Sequence, residues 1–294
     1  MTMLKWNFTA LSTSKYETNQ HQITEEFSSI SINTNTADVK FVVSQDSSCS
    51  VVCYEQSNLK HSVSVKDGTL LISVLDSRKW YEHIGINFSS PSITVYIPKG
   101  DYGALSINSD TGDVSIPKDY KFTSIDISED TGSITNFASS SGHVRIKTDT
   151  GSIIVESTSA NSISLSTSTG RITASQIACK GEFFVGVSTG RVQLIDIRCK
   201  NLISRGDTGD ISMKNVISTE KLSVERDTGD VRFEGCDAAE IFVKTDTGDV
   251  VGSLLSQKIF IVKTDTGSID VPHSVSGGKC QITTDTGDIR ITVK

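Results

Sequence analysis

Proline is scarce in this chain, with 4 residues among 294, and aromatic side chains make up only 6%. So few prolines exclude a collagen-like or proline-rich linker chain. Hydrophobic residues amount to 36%, too little for a membrane bundle. No run approaches the roughly 20 apolar residues of a spanning helix, or the roughly 7 to 15 of a signal peptide core. The longest early stretch, Met1-Thr-Met-Leu-Lys-Trp-Asn-Phe8, is broken by Lys5. Positive charge is also in deficit, the formal net charge being −7. That balance argues against a nucleic-acid partner, whose phosphates need a basic surface.

The usual marks of catalysis and metal binding are missing too. There is no Gly-x-Ser-x-Gly elbow, P-loop or dinucleotide glycine motif. The six cysteines (Cys49, Cys53, Cys179, Cys199, Cys236 and Cys280) contain no Cys-x-x-Cys. His21, His61, His83, His143 and His273 are scattered without metal-ligand spacing. The sequence therefore assigns no catalytic, cofactor-binding or metal residues, and no cofactor.

What the sequence does have is a repeat. Thr-Gly recurs ten times, at Gly112, Gly132, Gly151, Gly170, Gly190, Gly209, Gly229, Gly248, Gly267 and Gly287, always 19 or 20 residues apart. A fixed period near 20 marks a solenoid whose units stack. Numbered from each glycine, +2 is always Val or Ile, −5 is aliphatic in nine of ten units, and −7 is mostly apolar. Positions two apart share one face of a strand. Each unit thus reads as strand, Asp-Thr-Gly turn, strand, with the glycine supplying positive φ. No helical period competes. Residues 100–294 are expected to form a parallel β-solenoid (β-helix) of about ten coils, all-β, stacked in chain order. Residues 28–99 read as a β-rich N-terminal cap, with Lys66-Asp67-Gly68 as a hairpin and Asn35-Thr36-Ala37-Asp38 as a degenerate first turn. Residues 1–27 read as a flank that follows an anchor outside this sequence. The tenth coil is expected to lie bare at the far end and to offer a surface for self-association.

Asp stands at −2 in eight units and at +1 in five. The −2 column is expected to bond its own turn as Asx-turns, with calcium coordination as the alternative. Basic residues at −4 (Lys147, Arg205, Lys244 and Lys263) relieve the stacked charge. In two adjacent coils −2 becomes Ser168 and Ser188 while +1 becomes Arg171 and Arg191, a basic band in an acidic ridge. Charge balance against neighbouring coils is the main expectation for the band, and a plug in the cap that for the aromatic segment containing Trp80, Tyr81 and Phe88; as the alternative the two are the candidate interaction patch. Cys179 and Cys199, each nine residues past its glycine, should stack on neighbouring rungs; free thiols are the main expectation and a bridge between them the alternative.

The Asp-Thr-Gly-Asp/Ser turns, with Ile93-Thr-Val-Tyr-Ile-Pro-Lys99 leading to Leu105-Ser-Ile-Asn-Ser-Asp-Thr-Gly-Asp-Val114, resemble a bacterial β-strand-repeat family of unknown function whose members are described as candidate adhesins. The resemblance covers residues 28–294. It implies a β-solenoid in a cell-envelope or extracellular setting, often behind a membrane helix. It brings no agreed catalytic residues. The resulting expectation is a non-catalytic adhesin-like or scaffolding ectodomain at a bacterial envelope, with a protein or polysaccharide partner. The alternatives are a regulatory ectodomain that senses envelope stress or binds a protein, and, third, a carbohydrate-active enzyme.

Overall fold

The computed structural model describes residues 16–76 and 90–294. The apolar residues at −7 and −5 form strands whose alternate side chains point inward. His143–Thr150 lies parallel to Ser162–Thr169, with Val144 opposite Ile163 and Ile146 opposite Leu165. After the turn, Ile153–Glu156 lies parallel to Ile172–Cys179, with Ile153 opposite Ile172. The two strand sets face each other across a continuous aliphatic column, in which Leu105, Ile125, Leu165, Val185 and Val231 are fully buried. Burial of each aliphatic side chain contributes about 1.5–3 kcal/mol, so the stack, not the single coil, is the stable unit. The chain is an all-β parallel β-solenoid of about ten coils. A short third side closes each coil: Ser139–Ser140 pairs with Lys121–Phe122, and Ser159–Ala160 with Ala178–Cys179.

The ten turn glycines have φ between +130° and +157°. Nine of them, all but Gly267, donate their N–H to the threonine carbonyl of a neighbouring turn, as from Gly170 to Thr189 at 3.0 Å. The aspartates divide the work differently from the expectation above. The +1 column, not the −2 column, bonds backbone, and it does so between rungs. Asp210 Oδ1 accepts from Asp230 N (3.1 Å), Asp230 from Asp249 N (3.0 Å) and Asp249 from Asp288 N (2.9 Å). Direct amide donors hold Asp230 and Asp288 below the ordinary carboxylate range. The −2 aspartates are exposed and instead pair with −4 lysines: Lys147–Asp149 at 3.0 Å, Lys244–Asp246 at 3.4 Å and Lys263–Asp265 at 2.7 Å. Arg205 turns to Glu225, at 3.4 Å.

A second corner, unmarked in the sequence reading, lies six residues after the glycine. Ser157, Gln176, Asp196 and Asn215 adopt φ of 52° to 54° there, and Gly235 63°. Short polar residues tolerate this conformation best, and they bond one another along the column: Asn215 Nδ2 donates to Asp196 Oδ1 at 2.9 Å.

Position −3 also points inward and asks for a hydrogen-bond donor. The hydroxyls of Thr148, Thr167 and Thr245 donate to the carbonyls of Gly132, Gly151 and Gly229, one rung back, at 3.1 to 3.3 Å. Glu129 fills the same column position with 1% exposure, and neither carboxylate oxygen has a hydrogen-bond partner. Burial pushes its pKa up to about 8. Asp113, Asp130 and Asp110 act the same way, and only the Ser109 hydroxyl, itself donated to the Thr111 carbonyl, pulls it back. The folded chain therefore holds a proton on Glu129 that the unfolded chain has released above its ordinary value of 4.5. Stability is expected to fall as pH rises from about 4.5 through about 8, by roughly 3–5 kcal/mol at this site. Glu129→Thr restores the column's hydroxyl. It should flatten that pH dependence and raise the urea midpoint most above pH 8; an unchanged midpoint at both ends of the range would exclude the account.

The coils do not all stack in chain order. Strand Gly278–Thr286 lies between Val231–Thr247 and Lys258–Thr266, paired to both. Ile289–Val293 lies likewise between Val250–Leu254 and Ile269–Asp270. The hydrogen bonds agree: Thr284 reaches Gly248, and Thr264 reaches Gly287. The tenth coil is thus internal, and the ninth is the outermost. Its Ile259, Ile261 and Ile269 are 43 to 52% exposed, whereas Ile289 is buried.

At the other end the same interleaving occurs. Ser29–Thr34 sits between Thr69–Asp76 and Gly100–Thr111. Asp38–Val43 sits between Ser92–Ile97 and Val114–Ile116. The Asn35–Asp38 segment takes the place of a turn: Thr111 N donates to Asn35 O, and Asp113 N to Asp38 Oδ1. Beyond this layer pairing turns antiparallel, Leu59–Lys66 on Thr69–Asp76 and Cys49–Gln56 on Ser92–Ile97, with Tyr16–Ile23 outermost on Cys49–Gln56. Asp67 and Gly68, both at positive φ, make the expected hairpin.

Candidate functional site

The third side is the place where the coil is least filled. Its inward residues are small, Ser140, Ala160, Cys179 and Cys199 on successive rungs, and all four are buried. Larger residues flank them on both sides, so the small ones become the floor of a cleft of about 460 Å³. Lys121 and Arg198 stand on one flank, and Lys180 and Lys200 on the other, all exposed. Ser141, Ser159, Asn161 and Thr219 add hydrogen-bonding groups, and no lining residue is acidic. Lys200 pairs with Glu220 at 3.2 Å. Lys121, Lys180 and Arg198 form no ion pair among the described residues. The cleft crosses six rungs, roughly 24 Å over five strand spacings. On a chain of net charge −7 it is a local concentration of cations.

The two floor cysteines are neighbours across rungs, as their spacing predicted, and both are free thiols. Cys179 Sγ donates to the Glu182 carbonyl at 3.2 Å, and Cys199 Sγ lies 3.2 Å from Ser218 Oγ. Desolvation pushes the Cys199 thiol up to about 11 and raises Cys179 as well. These are packing residues, not activated nucleophiles. Cys280 is fully buried in the core, as its −7 position required.

Arg171 and Arg191 stand exposed on the turn ridge, away from the cleft floor, and Arg191 Nε approaches Asp210 Oδ2 at 3.9 Å. The next rung's +1 aspartate thus partly offsets the band. Trp80, Tyr81 and Phe88 lie outside the described residues. The sequence reading missed the cleft, although a signal was present. Arg198-Cys199-Lys200 and Ala178-Cys179-Lys180 stand at one phase of the repeat, so their lysines had to stack with the cysteines.

The comparisons with known proteins follow this geometry. The family description Toastrack DUF4097 matches residues 27–183 and again 171–294. Among solved structures, a candidate adhesin of Parabacteroides distasonis is similar at 12% identity and a TM-score of 0.52, covering 94% of this chain and 97% of that one. A candidate lipid-binding protein of the same species is similar at 14% identity and 0.51, with the same coverage. A candidate adhesin of Bacteroides fragilis gives 16% and 0.49 over 95% and 98%. At these identities the likeness is one of fold. No curated protein matches the chain. Among the described residues no helix is long and apolar enough to cross a membrane.

Proposed function

We propose, from the premise that the chain belongs to the Toastrack DUF4097 family, that it is a non-catalytic, adhesin-like rod of the bacterial envelope whose third side holds an acidic polysaccharide. The observation that carries this reading is the cation-lined cleft. Unpaired Lys121, Lys180 and Arg198 meet repeating carboxylate or phosphate groups, while Ser141, Ser159 and Asn161 meet sugar hydroxyls. A regular ladder of rungs suits a regular linear polymer, because each rung repeats the contact. The floor of Ala160, Cys179 and Cys199 is flanked by cations and hydroxyls and walled by no large apolar side chain, so it does not enclose an acyl chain. In this reading residues 28–99 close one end of the rod, and a protein partner, if any, meets the outermost coil or the Arg171–Arg191 ridge.

The test uses polygalacturonate, with neutral dextran as control. Lys180→Glu with Arg198→Glu should weaken binding at least about tenfold, since each reversal removes one attraction and adds one repulsion. It should also reduce the dependence on salt, which screens exposed charges. Arg171→Glu with Arg191→Glu should change binding little. Equal binding of dextran, or a loss confined to the ridge variant, would overturn the reading.

A further inference from the structure

The cap holds a cluster that the cleft does not use. Cys49–Gln56 alternates so that Cys53 and Glu55, two apart, both point inward. The hairpin pairing of Gln56 with Leu59 then brings His61 back beside them. Ligand atoms of Cys53, Glu55 and His61 lie within 4.8 Å of one another, and all three residues are buried. Sequence spacing hid this set, because the histidine arrives from the next strand.

We propose that Cys53, Glu55 and His61 form a site for one divalent transition metal ion of the zinc class. A thiolate, an imidazole nitrogen and a carboxylate oxygen are zinc's own ligand types, and three protein ligands with a fourth position open is a recurrent zinc arrangement. The set is wrong for calcium, which takes six to eight oxygens. The surrounding bonds orient the ligands as an outer shell does. Thr34 Oγ1 lies 2.9 Å from His61 Nε2, which turns Nδ1 toward Glu55 Oε2 at 2.7 Å. Asn19 Nδ2 donates to Glu55 Oε1 at 2.7 Å, and the His61 N–H donates to Oε2. Cys53 is the member with no hydrogen bond among the described residues, its thiol lying against the other two.

Charge points the same way. A dication balances one thiolate and one carboxylate buried side by side. On binding, the Cys53 proton and any proton shared by His61 Nδ1 and Glu55 leave to solvent. A hydrolytic Thr34–His61–Glu55 relay is excluded by burial, the Thr34 residue being 1% exposed.

The probe is cobalt(II), added to the full chain after chelator treatment. The expected result is one cobalt per chain with a thiolate-to-cobalt absorption band, displaced by zinc and absent in Cys53→Ser. No band in the unaltered chain, or the same stoichiometric binding by a folded Cys53→Ser variant, would overturn the proposal and place any ion on the surface aspartates. Should Cys53→Ser fail to fold, alkylation mapping of the unaltered chain decides. Zinc should slow modification of Cys53 at least tenfold in partial denaturant, relative to Cys280, which is buried away from this cluster. Equal rates at both cysteines would overturn it.

Discussion

Gly190→Ala is expected to unfold the middle of the rod, while Gly100→Ala leaves it intact. Gly190 has φ +148°, a region that side-chain-bearing residues enter only under strain. Space is the harsher limit. A Cβ built on Gly190 overlaps the Gly170 carbonyl oxygen of the rung beneath, and one on Gly170 overlaps that of Gly151. The obstacle is backbone, so no rotamer relieves it. The rungs must separate, and separating them lengthens the inter-turn bond from Gly170 N to Thr189 O, 3.0 Å in the intact rod. Strain and overpacking together should cost about 3–6 kcal/mol. At Gly100 a Cβ meets nothing within 4 Å, and no positive φ is required; the change should stay within about 0.5 kcal/mol. Urea denaturation followed by circular dichroism separates the two, and similar midpoints would refute the glycine column as a packing requirement.

Val231→Asp should be comparably severe. Val231 is fully buried, with Ile211 and Val250 directly above and below it on the inner wall. An aspartate there has no cation within the column, and burying an unpaired charge costs several kcal/mol. Lys244→Ala removes only an exposed partner of Asp246, at 3.4 Å, and should cost under about 1 kcal/mol. Because each rung touches only its neighbours, the damage should be local. Limited proteolysis of Val231→Asp is expected to cut near residue 231 while residues 100–190 remain protected. A variant as resistant as Lys244→Ala would mean that position +2 does not face the core.

Legibility followed the range of the forces involved. Inward positions such as Ile107, Val144 and Ile172 were readable because a period of two within a period of about 19 is a local pattern. The function of Asp210 was not. Its bond goes to the next rung's amide, and the choice between bonding its own turn and bonding its neighbour depends on rung offset rather than composition. Glu129 was not singled out, because its own neighbourhood in sequence carries no mark of burial. Only the column of Thr148, Thr167 and Thr245 shows that it stands where a donor is needed. The cleft was half legible, since its cysteines were placed on one column while the lysines beside them were passed over. Cys53, Glu55 and His61 were invisible as a set because an antiparallel fold-back breaks the sequence interval between ligands. The ninth and tenth coils carry the same motif, so nothing in either sequence says which one lies outside.

That last ambiguity has a kinetic consequence. In a solenoid stacked in chain order each new coil can add to the one before it as it is synthesised, and the folding front moves with the ribosome. Here residues 258–270 have no seat until 278–293, made later, have docked on 231–254. Residues 29–43 likewise wait for 69–76 and 92–97 on one side and 100–116 on the other. Both ends therefore close by loops whose entropy must be met before any pairing rewards it. The middle coils can zip quickly from their neighbours, whereas the two termini of the stack must finish last. The coil left waiting at one of them is the one rich in Ile259, Ile261 and Ile269, the segment most exposed to a wrong partner while it waits.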